Sequence, residues 1–408
     1  MSVITDLKQH ILVDGFHIVV DLEKSHDAKI VDYETNQEYL DCYSQFGSQA
    51  LGWNHPALKK NEAFLGKIAL HKLANSDMYS SVYRDFVKSI ASITPDFRYL
   101  FFVEGGSLAV ENALKTAFDY KAQLSNISEQ NLDVIHLKEA FHGRSGYALS
   151  VTNTGELKTR HFPKFNWTRV TNPKICQEVE FLEMMSLQEI EEALQKGTVA
   201  AILLETIQGE GGDNHFRKEY FQELRKLADT YQALLIFDEV QTGVAMTGKM
   251  WAYEHYDVKP DILVFGKKTQ VCGIAAASSI DKVNDNVFHV SGRLNSTWGG
   301  NIVDMARAKI VIDAIRDDNL INNAQIVGNA FLESIKELDI GEVTNIRGKG
   351  LMIAFDLPNT NRRNEIHQKL SEKMMILKSG SRSIRFRPHL TFSLEDVKLA
   401  IAIIKGVF

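Results

Sequence analysis

Uninterrupted apolar runs of strand length, each ending abruptly in charged or glycine residues, recur along the chain. Leu234 to Gly243 reads L-L-I-F-D-E-V-Q-T-G and Pro260 to Lys268 reads P-D-I-L-V-F-G-K-K. A strand buried on both faces has this form, whereas a half-exposed strand alternates. Arg98–Val103, Asp133–Leu137 and Val199–Glu205 are runs of the same kind. Between them the spacing turns helical, from Ala57 to about Ala74 and again over Lys218 to Gln232. In L-A-V-E-N-A-L-K-T-A-F-D-Y, the residues Leu108, Ala109, Ala113, Leu114, Ala117 and Phe118 form one apolar face. Strands alternating with helices predict a mainly parallel sheet with crossover helices, an α/β fold.

The two ends of the chain follow a different pattern. Residues 1–45 hold a short polar helix candidate and two strand-like runs, H-I-V-V-D-L and A-K-I-V-D-Y, which predict a small antiparallel pair. F-G-S-Q-A-L-G-W-N-H-P, Phe46 to Pro56, reads as a loop. After Lys267, A-A-A-S-S-I predicts an antiparallel strand, and a long helix runs from Ile302 to about Asp317. Beyond it come a helix over Ile321–Leu338, a strand G-L-M-I-A-F-D-L, a helix over Asn364–Met375 and a final helix capped by Ser393 with Asp396. The expected division is an N-terminal segment, 1–45, joining the small lobe; a large domain, 46–317; and a smaller α+β domain, 318–408.

Composition narrows the function classes. With 408 residues the chain can bury a large core, and a net charge of −6 with interspersed signs does not resemble a nucleic-acid binder. Cys42, Cys176 and Cys272 are scattered without metal-ligand spacing, so neither a disulfide framework nor a metal site is expected, and the compartment reads as reducing and cytoplasmic. No apolar run reaches membrane-spanning length.

Candidate chemistry gathers at the carboxyl ends of the strands, where open α/β sheets bind ligands. Asp238 ends one run and Lys267 the next. A lysine desolvated at the mouth of a hydrophobic strand loses its proton easily, and a buried carboxylate needs a cationic partner. Pyridoxal phosphate uses such a lysine as Schiff base and an acid facing its ring nitrogen. Asp238-Glu239 also fits a Walker B segment of a nucleotide-binding module, and the two groups could simply pair with each other. Gly105, Gly106 and Ser107 lie between a strand and a helix, the place of a phosphate site. No Gly-Lys-Ser/Thr closes that turn, so it is not a P-loop. In K-E-A-F-H-G-R-S-G-Y an aromatic residue could cover a planar ring and Arg144 could clamp a carboxylate, or serve as an ordinary loop arginine.

Taken in order, these segments resemble the class III, or ω-amino acid, aminotransferases of pyridoxal-phosphate fold type I, the aspartate aminotransferase-like fold. The resemblance runs from about Asp14 to the C-terminus. F-H-G-R-S-G-Y, I-Q-G-E-G-G-D, F-G-K-K-T-Q-V-C-G, R-L-N-S-T-W-G-G-N and R-F-R-P look most like the lysine ε-aminotransferase subgroup. Most of the wider family has a glycine cluster after the lysine and Arg-Thr-Gly after the Asp-Glu segment. Here the residues are T-Q-V-C-G and Met246-Thr247-Gly248, which agree with the lysine subgroup. Ornithine, 4-aminobutyrate and 2,4-diaminobutyrate aminotransferases are the nearest rivals, since one methylene separates lysine from ornithine.

The resemblance implies a role for each site residue. Lys267, rather than Lys268, would be the Schiff-base lysine. Asp238 would face the pyridine nitrogen, Gln241 the ring hydroxyl, and Phe141 beside His142 would cover the ring of pyridoxal 5′-phosphate. Gly106 and Ser107 would hold the phosphate, joined by Thr297 from the other subunit of a homodimer. Arg144, with the neighbour's Asn295 and Ser296, would hold the remote carboxylate of the substrate. Glu210 and Arg385 would form a switch between two half-reactions, one with L-lysine and one with 2-oxoglutarate and L-glutamate.

Overall fold

The computed structural model describes residues 2–408. Near the N-terminus, β1 (Lys29–Val31) pairs antiparallel with β2 (Glu38–Asp41). The expected partner of the β1 segment, H-I-V-V-D-L, contributes only a single bridge, Val20 to Asp32. The Asp32 carboxylate accepts the backbone N–H groups of Val19, Glu34 and Thr35, so a tight turn returns the chain to β2 rather than leaving the earlier run free to pair.

Seven strands form the main sheet: β3 (Tyr99–Val103), β4 (Asp133–Leu137), β5 (Arg169–Val170), β6 (Val199–Glu205), β7 (Leu234–Asp238), β8 (Ile262–Phe265) and β9 (Cys272–Ala276). Their order is β3-β9-β8-β7-β6-β4-β5, and β9 alone runs against its neighbours. The β9 strand starts before the predicted A-A-A-S-S-I, whose last residues instead enter the 3-10 turn Ser278–Lys282. Both faces are covered, which explains the uninterrupted apolar runs. Leu234 and Ile236 of β7 pack on the side of the helix Gly106–Ser125, while Leu235 and Phe237 face the helix Lys218–Tyr231 with its Phe221 and Leu224. On Gly106–Ser125 the buried stripe is Ala109, Val110, Ala113, Leu114 and Ala117. Leu108, expected inside, falls on the flank and is exposed.

A second sheet, β10 (Thr344–Lys349), β11 (Met352–Asp356), β13 (Leu377–Ser379) and β14 (Ser383–Phe386), has the order β10-β11-β14-β13 and is antiparallel throughout. The short β12 (Met374–Met375) leaves it and pairs in parallel with β2, tying the N-terminal segment to the C-terminal part of the chain. The preceding helix ends at Ser371, earlier than the predicted Met375, because Met374 and Met375 are in β12. The helical spacing after Ala57 yields two short helices, Pro56–Lys59 and Glu62–Ala69. Among the described residues no helix is long and apolar enough to cross a membrane.

Candidate active site

Parallel pairing aligns the carboxyl ends of β6, β7 and β8, with Glu205 opposite Asp238 and Asp238 opposite Val264. These ends border a cavity of about 1420 Å³. Gly106, Ser107, Phe141, His142, Arg144, Glu210, Asp238, Gln241, Lys267 and Arg385 all line it. Ten residues from six separate segments thus meet at one place.

Lys267 and Lys268 are adjacent but have different environments. Lys267 has a positive φ of 55°, lines the cavity, and carries its ammonium 5.7 Å from the Phe46 ring centre. Burial lowers its pKa to about 8, and the nearby Arg385 charge pushes the same way. Lys268 is buried beneath, donating to the carbonyl oxygens of Gln241 at 2.9 Å and Gly47 at 3.2 Å. Its pKa is also driven well down by burial and by Lys267, but its amine is committed to the backbone.

Asp238 accepts the backbone N–H of Val240 on Oδ1 at 3.1 Å and faces His142 Nδ1 with Oδ2 at 2.8 Å. Glu239 turns the other way and accepts the N–H groups of Ala252 and Tyr253 at 2.6 and 2.7 Å. The two carboxylates therefore do not stand together, and the Walker B reading loses its geometry. Glu205, beside Asp238, accepts from the N–H groups of Phe141 at 3.0 Å and Gly209 at 2.9 Å; burial raises its pKa to about 7.

The helix Gly106–Ser125 opens toward the cavity. Gly105 has φ +98°, and a Cβ at Gly106 would meet Val240 Cγ1 at 3.1 Å. Ser107 Oγ stands 2.6 Å from Ser145 Oγ and accepts the Ser145 N–H at 3.1 Å. Free N–H groups and a hydroxyl at a helix N-terminus suit a phosphate.

The model of the class-III aminotransferase family matches residues 12–408. The chain belongs to the class-III aminotransferases. It is 45% identical to the L-lysine-epsilon aminotransferase of Mycobacterium tuberculosis, an alignment covering 98% of this chain and 94% of that one. It is 42% identical to the protein of the same name from Streptomyces clavuligerus, over 97% and 91%. The solved lysine aminotransferase of M. tuberculosis superposes with a TM-score of 0.97, at 44% identity, covering 100% of this chain and 98% of that one.

The cofactor of the family is pyridoxal 5′-phosphate, and the residues present fit it. An exposed-to-cavity lysine with a depressed pKa, a buried carboxylate at a strand end and a helix N-terminus occupy the walls of one cavity. His142 Nδ1 faces Asp238, and Phe141 and His142 both line the cavity.

Three predicted site residues lie elsewhere. Asn295 and Thr297 are exposed, Ser296 is half-buried, and none lines this chain's cavity. The Thr297 carbonyl accepts the Ser76 hydroxyl at 3.1 Å, and Trp298 lies under the Lys72 ammonium at 3.4 Å.

Sequence reasoning missed Glu205, Lys158 and Arg387. Glu205 ends a buried run just as Asp238 does, and that signal was available. Arg387 pairs with the buried Asp213 and donates to Gln241 Oε1 at 3.3 Å, so the second arginine of R-F-R-P lies behind the cavity wall and supports Gln241. Lys158 pairs with Glu210 from a polar stretch without periodicity, and no local signal marked it.

Proposed function

We propose that this chain transfers the ε-amino group of L-lysine to 2-oxoglutarate. The products are L-glutamate and 2-aminoadipate 6-semialdehyde, which cyclises to piperideine-6-carboxylate. The relatives' names support lysine as donor. Within the site, one observation carries the reading: Glu210 Oε2 accepts from Arg385 Nη2 at 2.8 Å beside Lys267.

That pair addresses a physical problem. Lysine must present its terminal amine near Lys267, with no carboxylate beside it. Glutamate reacts through its α-amine and brings a carboxylate to the same place. With Glu210 on Arg385 the guanidinium is neutralised and suits lysine; with Glu210 turned away Arg385 takes the α-carboxylate. Arg144 receives the remote carboxylate in both cases, which is why one cavity serves two substrates.

When bound, pyridoxal 5′-phosphate supplies the carbonyl carbon that takes up the amine and a ring that accepts electrons. Lys267 would hold the cofactor and move a proton at the substrate carbon, a task matched to its depressed pKa. Asp238, oriented by His142 and the Val240 N–H, would face the ring nitrogen and keep it protonated. Gln241 would face the ring hydroxyl, and Gly106 and Ser107 would hold the phosphate.

The surface position of Asn295, Ser296 and Thr297 supports a homodimer in which these residues complete the partner's site, Thr297 at the phosphate and the other two at the remote carboxylate. The division at 46 and 318 into an N-terminal segment, a cofactor-binding domain and a small C-terminal domain is supported by the two separate sheets and the β2–β12 pairing. Free cysteines suit a reducing, cytoplasmic setting.

A visible spectrum of the purified protein before and after L-lysine, then 2-oxoglutarate, tests the proposal, with ornithine and 4-aminobutyrate in parallel. Lysine should bleach the cofactor band and 2-oxoglutarate should restore it. Far faster bleaching by another amine would reassign the donor.

A further inference from the structure

Glu210 is fixed at its backbone and shared at its carboxylate. Its carbonyl oxygen accepts the Gly380 N–H at 3.0 Å and the Ser379 hydroxyl at 3.3 Å, which anchors the main chain to the second sheet. At the far end of the side chain, Oε2 takes Arg385 and Oε1 takes the Lys158 ammonium.

The two cations differ in mobility. Arg385 is in β14, paired with Ala354 of β11 and Leu377 of β13, and its side chain is 1% exposed. Its Nε is buried with no acceptor among the described residues. Lys158 stands on the short helix Glu156–Thr159 with its side chain 24% exposed, 5.6 Å from the Phe141 ring centre and 3.4 Å from Thr154 Oγ1. Arg385 is therefore rigid and Lys158 is able to follow.

A carboxylate 30% exposed cannot leave a guanidinium cheaply unless another cation keeps it. We propose that Lys158 is the second seat of Glu210, holding its carboxylate when Arg385 turns to a substrate carboxylate, and that it thereby sets the affinity for the dicarboxylate partner. The inference rests on the reading that Arg385 receives 2-oxoglutarate and glutamate. Lys158 touches no reacting atom in this arrangement and acts as a positioning residue through Glu210.

The test uses the purified holoenzyme as the parent, Lys158→Met and Lys158→Arg. Glutarate, a dicarboxylate with no group to react, is titrated by calorimetry, and single turnovers with lysine and with 2-oxoglutarate are followed separately. In Lys158→Met, glutarate and 2-oxoglutarate should bind about tenfold more weakly, the scale of one lost charged hydrogen bond. The loss should fall on the half-saturating concentration rather than on the saturated rate, lysine should be affected less, and Lys158→Arg should recover most of it. Unchanged glutarate affinity in Lys158→Met overturns the proposal, as do equal weakening of lysine and dicarboxylate or no recovery with arginine. If the parent ignores lysine altogether, the donor assignment falls, while the glutarate titration still decides the role of Lys158.

Discussion

Asp238 Oδ2 lies 2.8 Å from Nδ1 of His142, and the two side chains are 7% and 0% exposed. Nε2 of the imidazole has no partner among the described residues, so its proton belongs on Nδ1, donated to the carboxylate. This hydrogen bond fixes the Asp238 carboxylate at the cavity wall. Asp238→Ala should therefore fold normally yet lose at least about a hundredfold in turnover, the scale of a preorganised electrostatic contact. His142→Leu should lose less, about tenfold, because the carboxylate remains and only its hydrogen bond is gone. Circular dichroism and steady-state rates check both, and near-normal turnover in Asp238→Ala would remove the assignment of its role.

Ser107 is positioned by a close approach of backbone. A Cβ on Gly143, where φ is +126°, would fall 2.3 Å from Ser107 Oγ and 2.8 Å from its Cα. Gly143→Ala must then shift the start of the helix Gly106–Ser125 and the groups offered there to phosphate. We expect the dissociation constant for pyridoxal 5′-phosphate to rise at least about tenfold, the scale of one lost charged hydrogen bond. Fluorescence titration of the cofactor-free protein reads it, and parental affinity would show that Ser107 does not hold the phosphate.

The readable parts of this site share one physical origin. Val199–Glu205 and Leu234–Asp238 are buried on both faces, so their burial is written as unbroken apolar residues and their polar ends stand out. The N-terminal pairing was harder because Glu38–Asp41 has mixed polarity and its direction is fixed by the Asp32 turn, not by its own pattern. Lys158 and Arg387 depend on contacts 52 and 174 positions away, with Glu210 and Asp213, which no local periodicity encodes. Asn295, Ser296 and Thr297 were legible only through family resemblance.

Glu210 Oε2 accepts from Arg385 Nη2 at 2.8 Å, the pair proposed above to switch between the two half-reactions. Burial raises the Glu210 pKa, but the Arg385 charge and the Lys158 contact outweigh it and leave the pKa below the ordinary value. Its negative charge is thus present throughout neutral pH. Glu210→Ala leaves Arg385 permanently open to carboxylates. The lysine half-reaction should slow at least about tenfold while the glutamate half-reaction changes little. Rapid-mixing spectra of each half-reaction separate the two, and equal effects on both would discard the switch.

The Lys267 pKa of about 8 has a consequence for stability whose sign is definite. Below pH 8 the folded and unfolded chains both hold the proton, and the folded state bears the cost of a buried charge. Between about 8 and the ordinary lysine value of about 10.4 the folded chain has released the proton and the unfolded chain has not. The unfolded state then binds more protons, so the contribution of Lys267 to stability rises with pH through that window, by roughly 3 kcal/mol in all. Lys267→Met removes the term, since methionine has nothing to titrate. The cofactor-free variant should be more stable than the cofactor-free parent at pH 7, and the gap should narrow steadily toward pH 10. Urea unfolding of the two proteins at several pH values measures it, and a gap that stays constant across the window would mean that the Lys267 amine has an ordinary pKa and is not desolvated at the cavity wall.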